Sequence, residues 1–179
     1  MKRFVDRLSA QTLHNRTLGG FVRVGETLLL QLCSPQPPAE VVLAVVQRTP
    51  GSGPTGFAAV GRFAPCDDAP TLAEFAVTVA DDCQRSGLGR LLLGELAALA
   101  RERGYAGLTG TALATNDAML ALAQDAGFEI APVAGEGGLR QMTLRFAAPG
   151  ETHGPRSPRR ARAARSPSRP EARASAPAR

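Results

Sequence analysis

The apolar positions change their spacing along the chain. VVLAVVQ (41–47), GFAAVGRF (56–63) and TLAEFAVTV (71–79) are short runs of small, β-branched and aromatic residues. Such runs predict strands. TPGSGP (49–54) joins the first two as a hairpin turn, and residues 64–70, with two Pro and two Asp, form a loop before the third. From Arg90 the period lengthens. Leu91, Leu92, Glu95, Leu96, Leu99 and Arg103 are spaced for an amphipathic helix over Arg90 to Arg103, with Gly104 as its C′ residue. Leu108 to Leu113 reads as a strand, and Asn116 to Ala126 as a helix stopped by Gly127. Phe128 to Val133 and Leu139 to Phe146 pair as a hairpin around GEGG (135–138). Upstream, Ser9 to Asn15 is a short helix with Ser9 as N-cap, broken by Gly19-Gly20. Glu26 to Cys33 is apolar on more than one face. We read it as a second helix, though a buried strand fits the same run.

The order is therefore two helices, three strands, helix, strand, helix, two strands. Hairpin-length links make the early strands antiparallel, while the strand–helix–strand unit over 71–113 should be parallel and right-handed. The fold class is α/β, with a mixed, mostly antiparallel sheet around one central parallel β-α-β unit. The chain shows no internal repeat.

Composition divides the chain. It has 179 residues, 44% of them apolar and 4% aromatic, so the core must be built from Leu, Val, Ala and a few Phe. Residues 1–146 form the domain. Residues 147–179 are Arg, Pro, Ser and Ala with almost no large apolar side chain, and should be a disordered basic tail. Eight of the 21 basic and two of the 16 acidic side chains lie from residue 149 onward, which leaves 13 and 14 in the first 148. The positive charge belongs to the tail and says little about the domain. SPRRARAARSPSRP (157–170) has the chemistry to hold nucleic acid through phosphate contacts, but a solvated extension is the favoured reading. Cys33, Cys66 and Cys83 are odd in number and lack metal-ligand spacing, which fits free thiols in a reducing compartment and no metal site. No signal core and no membrane-length apolar run is present, so a cytoplasmic protein without membrane partners is expected.

The candidate chemistry lies in CQRSGLGR (83–90), between the third strand and the long helix. Glycines before a helix let the backbone approach an anion, which meets the free N–H groups of the first turn. A tight strand-to-helix turn with nothing bound is equally consistent with the loop alone. Two nucleotide motifs fail. A P-loop needs Gly-Lys-[Ser/Thr], but Gly89 is followed by Arg90 and Leu91. A dinucleotide fingerprint needs a small residue where Leu92 stands, and an acidic residue about 20 positions further on at the end of the next strand, where GLTGTAL (107–113) has none.

What remains, Gln84-Arg85-Ser86-Gly87-Leu88-Gly89, matches Q/R-x-x-G-x-G. Asn116, Met119, Leu122, Gly127 and Phe128 match a second pattern, N-x-x-[A/M]-x-x-L-x-x-x-x-G-F, one strand later. In these two motifs, and over about residues 71–146, the chain resembles the GNAT family of acetyl-CoA-dependent N-acetyltransferases. The context A-E-F-A-V-T-V and N-x-x-M-L-x-L-A is similar to that of bacterial protein-lysine acetyltransferases of the Pat type.

The resemblance implies that the pyrophosphate of acetyl-CoA lies on the loop Gln84, Arg85, Ser86, Gly87, Leu88, Gly89 and Arg90. Val77, Thr78 and Val79 would hold the pantetheine arm by main-chain hydrogen bonds, beside a bulge that splays the strands. Asn116 would reach the pantetheine from the following helix. Glu74 would be the base that accepts a proton from the acceptor, an amine that this likeness suggests is a protein lysine. His14, in the first helix, lies near where acceptors bind in this fold, although a surface histidine is its plainer reading; His153 is in the tail.

Two departures accompany the resemblance. Ala123 stands where the family commonly has a tyrosine acid, and Tyr105 ends a different helix. A non-catalytic acyl-CoA-binding module is therefore the competing expectation. Second, Lys2 to Asp6 leave room for only a short first strand, or none. The sheet edge thus exposed would be covered by homodimerisation, or reflect a truncated start or a longer multidomain parent.

Overall fold

The computed structural model describes residues 2–20, 39–48, 51 and 53–147. The expected helix over 26–33, the tail from 148 onward and His153 lie outside the described residues. Among the described residues six strands are present: β1 Val41–Arg48, β2 Pro54–Pro65, β3 Leu72–Val79, β4 Gly107–Leu113, β5 Glu129–Val133 and β6 Glu136–Arg145. They form one sheet in the order β1-β2-β3-β4-β6-β5. Every neighbouring pair is antiparallel except β3 and β4, which are parallel. The long helix that crosses between these two completes the central β-α-β unit. This is the mixed α/β sheet that the sequence predicts.

Among the described residues four helices decorate the sheet: α1 Lys2–Val5, α2 Ala10–Arg16, α3 Leu88–Glu102 and α4 Asp117–Asp125. Alternation along the strands separates two cores. On one face Phe63, Ala73, Phe75 and Leu108 pack under Leu93, Leu96 and Ala100 of α3. On the other, Val60 and Ala80 meet Phe4, Val5 and Leu8. Leu96 is fully buried, worth about 2 kcal/mol of apolar transfer. Odd-numbered β3 residues therefore face α3, and even-numbered ones face the α1–α2 side.

The first strand is missing, one of the two outcomes expected: Lys2–Val5 is helical, and its Phe4 and Val5 join Leu8 in sealing the second core. Other local expectations are revised. Helix α3 starts at Leu88, two residues before the expected Arg90. It buries Leu92, Leu93, Leu96 and Ala100, while Leu91 is 53% exposed. The last hairpin turns at Ala134 and Gly135, so Gly137 and Gly138 are strand residues and not loop. The two edges of the sheet, among the described residues, are β1 and β5.

Candidate active site

The sheet is open at its centre. β3 pairs with β4 only through Leu72↔Gly107, Ala73↔Leu108 and Glu74↔Thr109. Its other edge stays paired with β2 through Val79, without a register shift. The expected splay is present, but no bulge in the β2–β3 ladder produces it. Helix α4 and its preceding turn lie beyond the gap. A cavity of about 1050 Å³ opens there, lined by residues of α2, β3, the glycine loop and the start of α4.

Main-chain direction decides which β3 groups reach this cavity. The Ala80 N–H donates to Ala58 O at 2.8 Å, which puts even-numbered residues in hydrogen-bonded pairs with β2. Phe75, Val77 and Val79 therefore turn their N–H and C=O groups toward the gap. The Thr78 main chain instead serves β2, and its buried side chain lines the cavity. The expectation that all three of Val77, Thr78 and Val79 present main chain to a ligand is thus revised to two. The Val79 carbonyl already accepts Gln84 Nε2 at 3.4 Å.

At the end of β3 the chain makes a 3₁₀ turn, Asp81–Cys83, and enters the glycine loop. Gly87 is the N-cap of α3 at φ 87°, a left-handed conformation that suits glycine. Gly89 has a different role. A Cβ there would lie 3.1 Å from Leu122 Cδ2, so the absent side chain lets α3 close onto α4. No side chain caps α3. The first N–H with an intrahelical acceptor is that of Leu91, which donates to Gly87 O at 3.0 Å. The N–H groups of Leu88, Gly89 and Arg90 thus have no intrahelical acceptor.

Charged side chains surround this end. Arg85 and Arg90 are exposed, and Arg85 itself has a positive φ of 59°. Arg90 Nη2 donates to Asp125 Oδ2 at 2.6 Å, so its guanidinium is directed at α4. Gln84, Arg85, Gly87, Leu88, Gly89 and Arg90 all line the cavity. Ser86 is not among the lining residues, because its hydroxyl is donated back to Cys83 O.

Helix α2 is fastened to this loop from the other side. Ser9 donates both N–H and Oγ to Asp81, at 2.9 and 2.6 Å, and Thr12 Oγ1 donates to the same carboxylate at 3.0 Å. Partial burial alone would push the Asp81 carboxyl up, but these hydrogen bonds outweigh it and hold the group below its ordinary range. Asp82 is likewise lowered, first by the hydrogen bond from Arg7. Gln84 Nε2 also donates to Thr12 Oγ1 at 3.2 Å.

The remaining candidates separate clearly. Glu74 is exposed, lines the cavity and sits where β3 leaves β4. As an even-numbered β3 residue it lies on the α2 side. His14 and Arg16 of α2 also line the cavity. Arg16 is half-buried, and burial lowers its pKa. Sequence reasoning passed over Arg16, although its i+4 spacing from Thr12 places both on one helix face. Asn116 is the N-cap of α4, accepting the Met119 N–H at 3.2 Å, and it lines the cavity. Ala123 is fully buried in the core and does not reach the cavity. Tyr105 packs edge-to-face on Phe63 at 5.8 Å, in the core. Among the described residues, no three of His, Cys, Asp and Glu gather as metal ligands, and no helix is long and apolar enough to cross a membrane.

Comparison with known proteins bears on this geometry. The model of the acetyltransferase (GNAT) family matches residues 26–128. Acetyltransferase PA5475 of Pseudomonas aeruginosa is 32% identical over 127 residues, covering 71% of this chain and 67% of that protein. The GNAT domain of S. lividans PAT superposes with a TM-score of 0.70 at 23% identity, covering 80% of this chain and 82% of that one. The ribosomal-protein-S18-alanine N-acetyltransferase of Escherichia coli gives 0.58 at 22% identity, over 84% and 89%.

Proposed function

The chain belongs to the GNAT acetyltransferase family, and on that premise we propose that it moves the acetyl group of acetyl-CoA to a primary amine by direct attack, with Glu74 as the base. The observation that carries this reading is the gap beyond the Glu74↔Thr109 pair, which leaves the main chain of Val77 and the Val79 N–H open along a cavity ending at a helix with no side-chain cap. An extended pantetheine arm with amide groups matches that free edge as an added strand does. The pyrophosphate matches the N–H groups of Leu88, Gly89 and Arg90 and the charge of Arg85 and Arg90. Asn116 uses Oδ1 for its cap, which leaves its amide N–H groups for a pantetheine carbonyl.

Along β3, Glu74 lies about 16 Å from Val79 at the rise of a strand. The thioester end of the arm would sit near Glu74 and the phosphates near the loop. Glu74 takes a proton from the acceptor ammonium, and the freed nitrogen lone pair attacks the thioester carbonyl. The nitrogen of the adduct then gives up its second proton to water, the C–S bond breaks, and the CoA thiolate leaves and takes up a proton from water. A thiolate is a good leaving group, so buried Ala123 removes a side-chain acid without removing the route.

The same buried Ala123 favours a second reading, a module that binds acyl-CoA without turnover. Two measurements separate them. Calorimetry with acetyl-CoA should show 1:1 binding, and thiol release should follow on adding amines or lysine peptides. Binding with no release from any acceptor would leave the non-catalytic reading standing. No binding at all would remove both.

A further inference from the structure

The cavity holds one cation that the reaction above does not use. Arg16 ends α2 on the side of the sheet that carries Glu74, and both residues line the cavity. Among the described residues its buried Nε has no hydrogen-bond partner and no salt bridge involves it. Arginine stays protonated in proteins, so burial does not remove this charge. A neutral surrounding would be costly for it.

Neighbouring charges narrow what it awaits. Arg62, on the same sheet face, bears on Arg16 with like charge and is itself held by Glu40 at 3.3 Å. Glu74 acts on Arg16 electrostatically with opposite charge, yet the two form no ion pair. Each can therefore face a separate group of one ligand. The pyrophosphate is not a candidate for Arg16, because the loop lies at the far end of β3 from Glu74. Position in the last turn of α2 gives Arg16 a favourable helix dipole, but that does not explain the unpartnered Nε.

We propose that the acceptor is a small amino acid, whose carboxylate is held by Arg16 while its ammonium faces Glu74. This rests on the transferase reading and narrows its amine to an amino-carboxylic acid. The guanidinium fork matches a carboxylate bidentately.

The test uses matched pairs of α-amino acids and their primary amides, alongside lysine peptides, with thiol release as readout. For at least one pair, kcat/KM for the acid should exceed that of its amide at least tenfold. In Arg16→Gln that acid should lose at least tenfold, mostly in KM, while its amide changes less than twofold and the Kd for acetyl-CoA is kept. Amides or lysine peptides used as well as the acids overturn the proposal, as does a variant that slows acid and amide alike. These results leave the transferase reading intact. Acetyl-CoA binding with no transfer to any amine removes the transferase reading instead. The pocket is then read by titrating acids and amides into the CoA complex, where equal or absent binding overturns it.

Discussion

The two ends of the cavity are built from different materials. The loop end consists of main chain: open groups on Val77 and Val79, and uncapped N–H groups at Leu88, Gly89 and Arg90. The Glu74 end consists of side chains: Glu74 and Arg16. A main-chain site depends on backbone conformation and tolerates many side chains. A side-chain site depends on identity at single positions. Damage should therefore separate, with cofactor affinity failing at one end and turnover at the other.

The sharpest test of that separation is Glu74→Gln. Removing a general base costs about 10²–10⁴ in rate. We expect kcat to fall by that range, with the Kd for acetyl-CoA within twofold, since Glu74 lies on the opposite side of β3 from α3. Unchanged turnover would remove Glu74 as base, and equal loss of affinity would merge the two ends.

Gly110 tests the point where the ends meet. A Cβ there would lie 2.8 Å from Phe75 Cε1 and 3.1 Å from Phe75 O, just past the last β3–β4 pair. Gly110→Val should cost about 2–3 kcal/mol, a fall in Tm of roughly 4–12 °C for a domain of this size. Because Phe75 sits between the two ends, both affinity and turnover should drop. A variant that loses only one of them would show that the strands part independently of this packing.

Gly87→Val addresses the loop end alone. At φ 87° a branched side chain costs about 1–2 kcal/mol, and the loop would relax from its anion-facing shape. About a tenfold rise in the Kd for acetyl-CoA is expected, with kcat at saturating acetyl-CoA nearly kept. Calorimetry and initial rates measure both.

The sequence's legibility follows the same division. Strands β1 to β4 were readable because their β-branched runs carry their own signal, and the glycine motif marked the loop. The α3 start was less so, because a bare Gly87 caps it, and Ser86, which resembles a cap, bonds back to Cys83 instead. The last turn was misplaced because β6 starts at Glu136 and runs on through Gly137 and Gly138, across a register shift opposite Pro132 and Val133 that glycine propensity does not announce. The main-chain direction at Thr78 depends on which neighbour β3 pairs with, and no single strand encodes that. Arg16 carries no motif. Its meaning appears only when α2 is laid against β3.

The smallest effect concerns the tie between the ends. Asp81 is held below its ordinary range, so its contribution is complete above about pH 4, where the unfolded carboxyl is ionised. It fades as pH falls through the lower folded value, where the carboxylate takes a proton and loses the bonds from Ser9 and Thr12. Asp81→Asn should therefore cost stability at pH 7 but only up to about 1 kcal/mol, because the group is exposed to solvent. Urea midpoints for the two proteins should differ at pH 7 and converge as the pH falls below the folded Asp81 value. A gap that persists into acid would mean that Asp81 acts through packing and not charge. A small rise in the Kd for acetyl-CoA at pH 7, with no change in kcat, would place this tie with the main-chain end; a change in the acceptor KM alone would place it with α2.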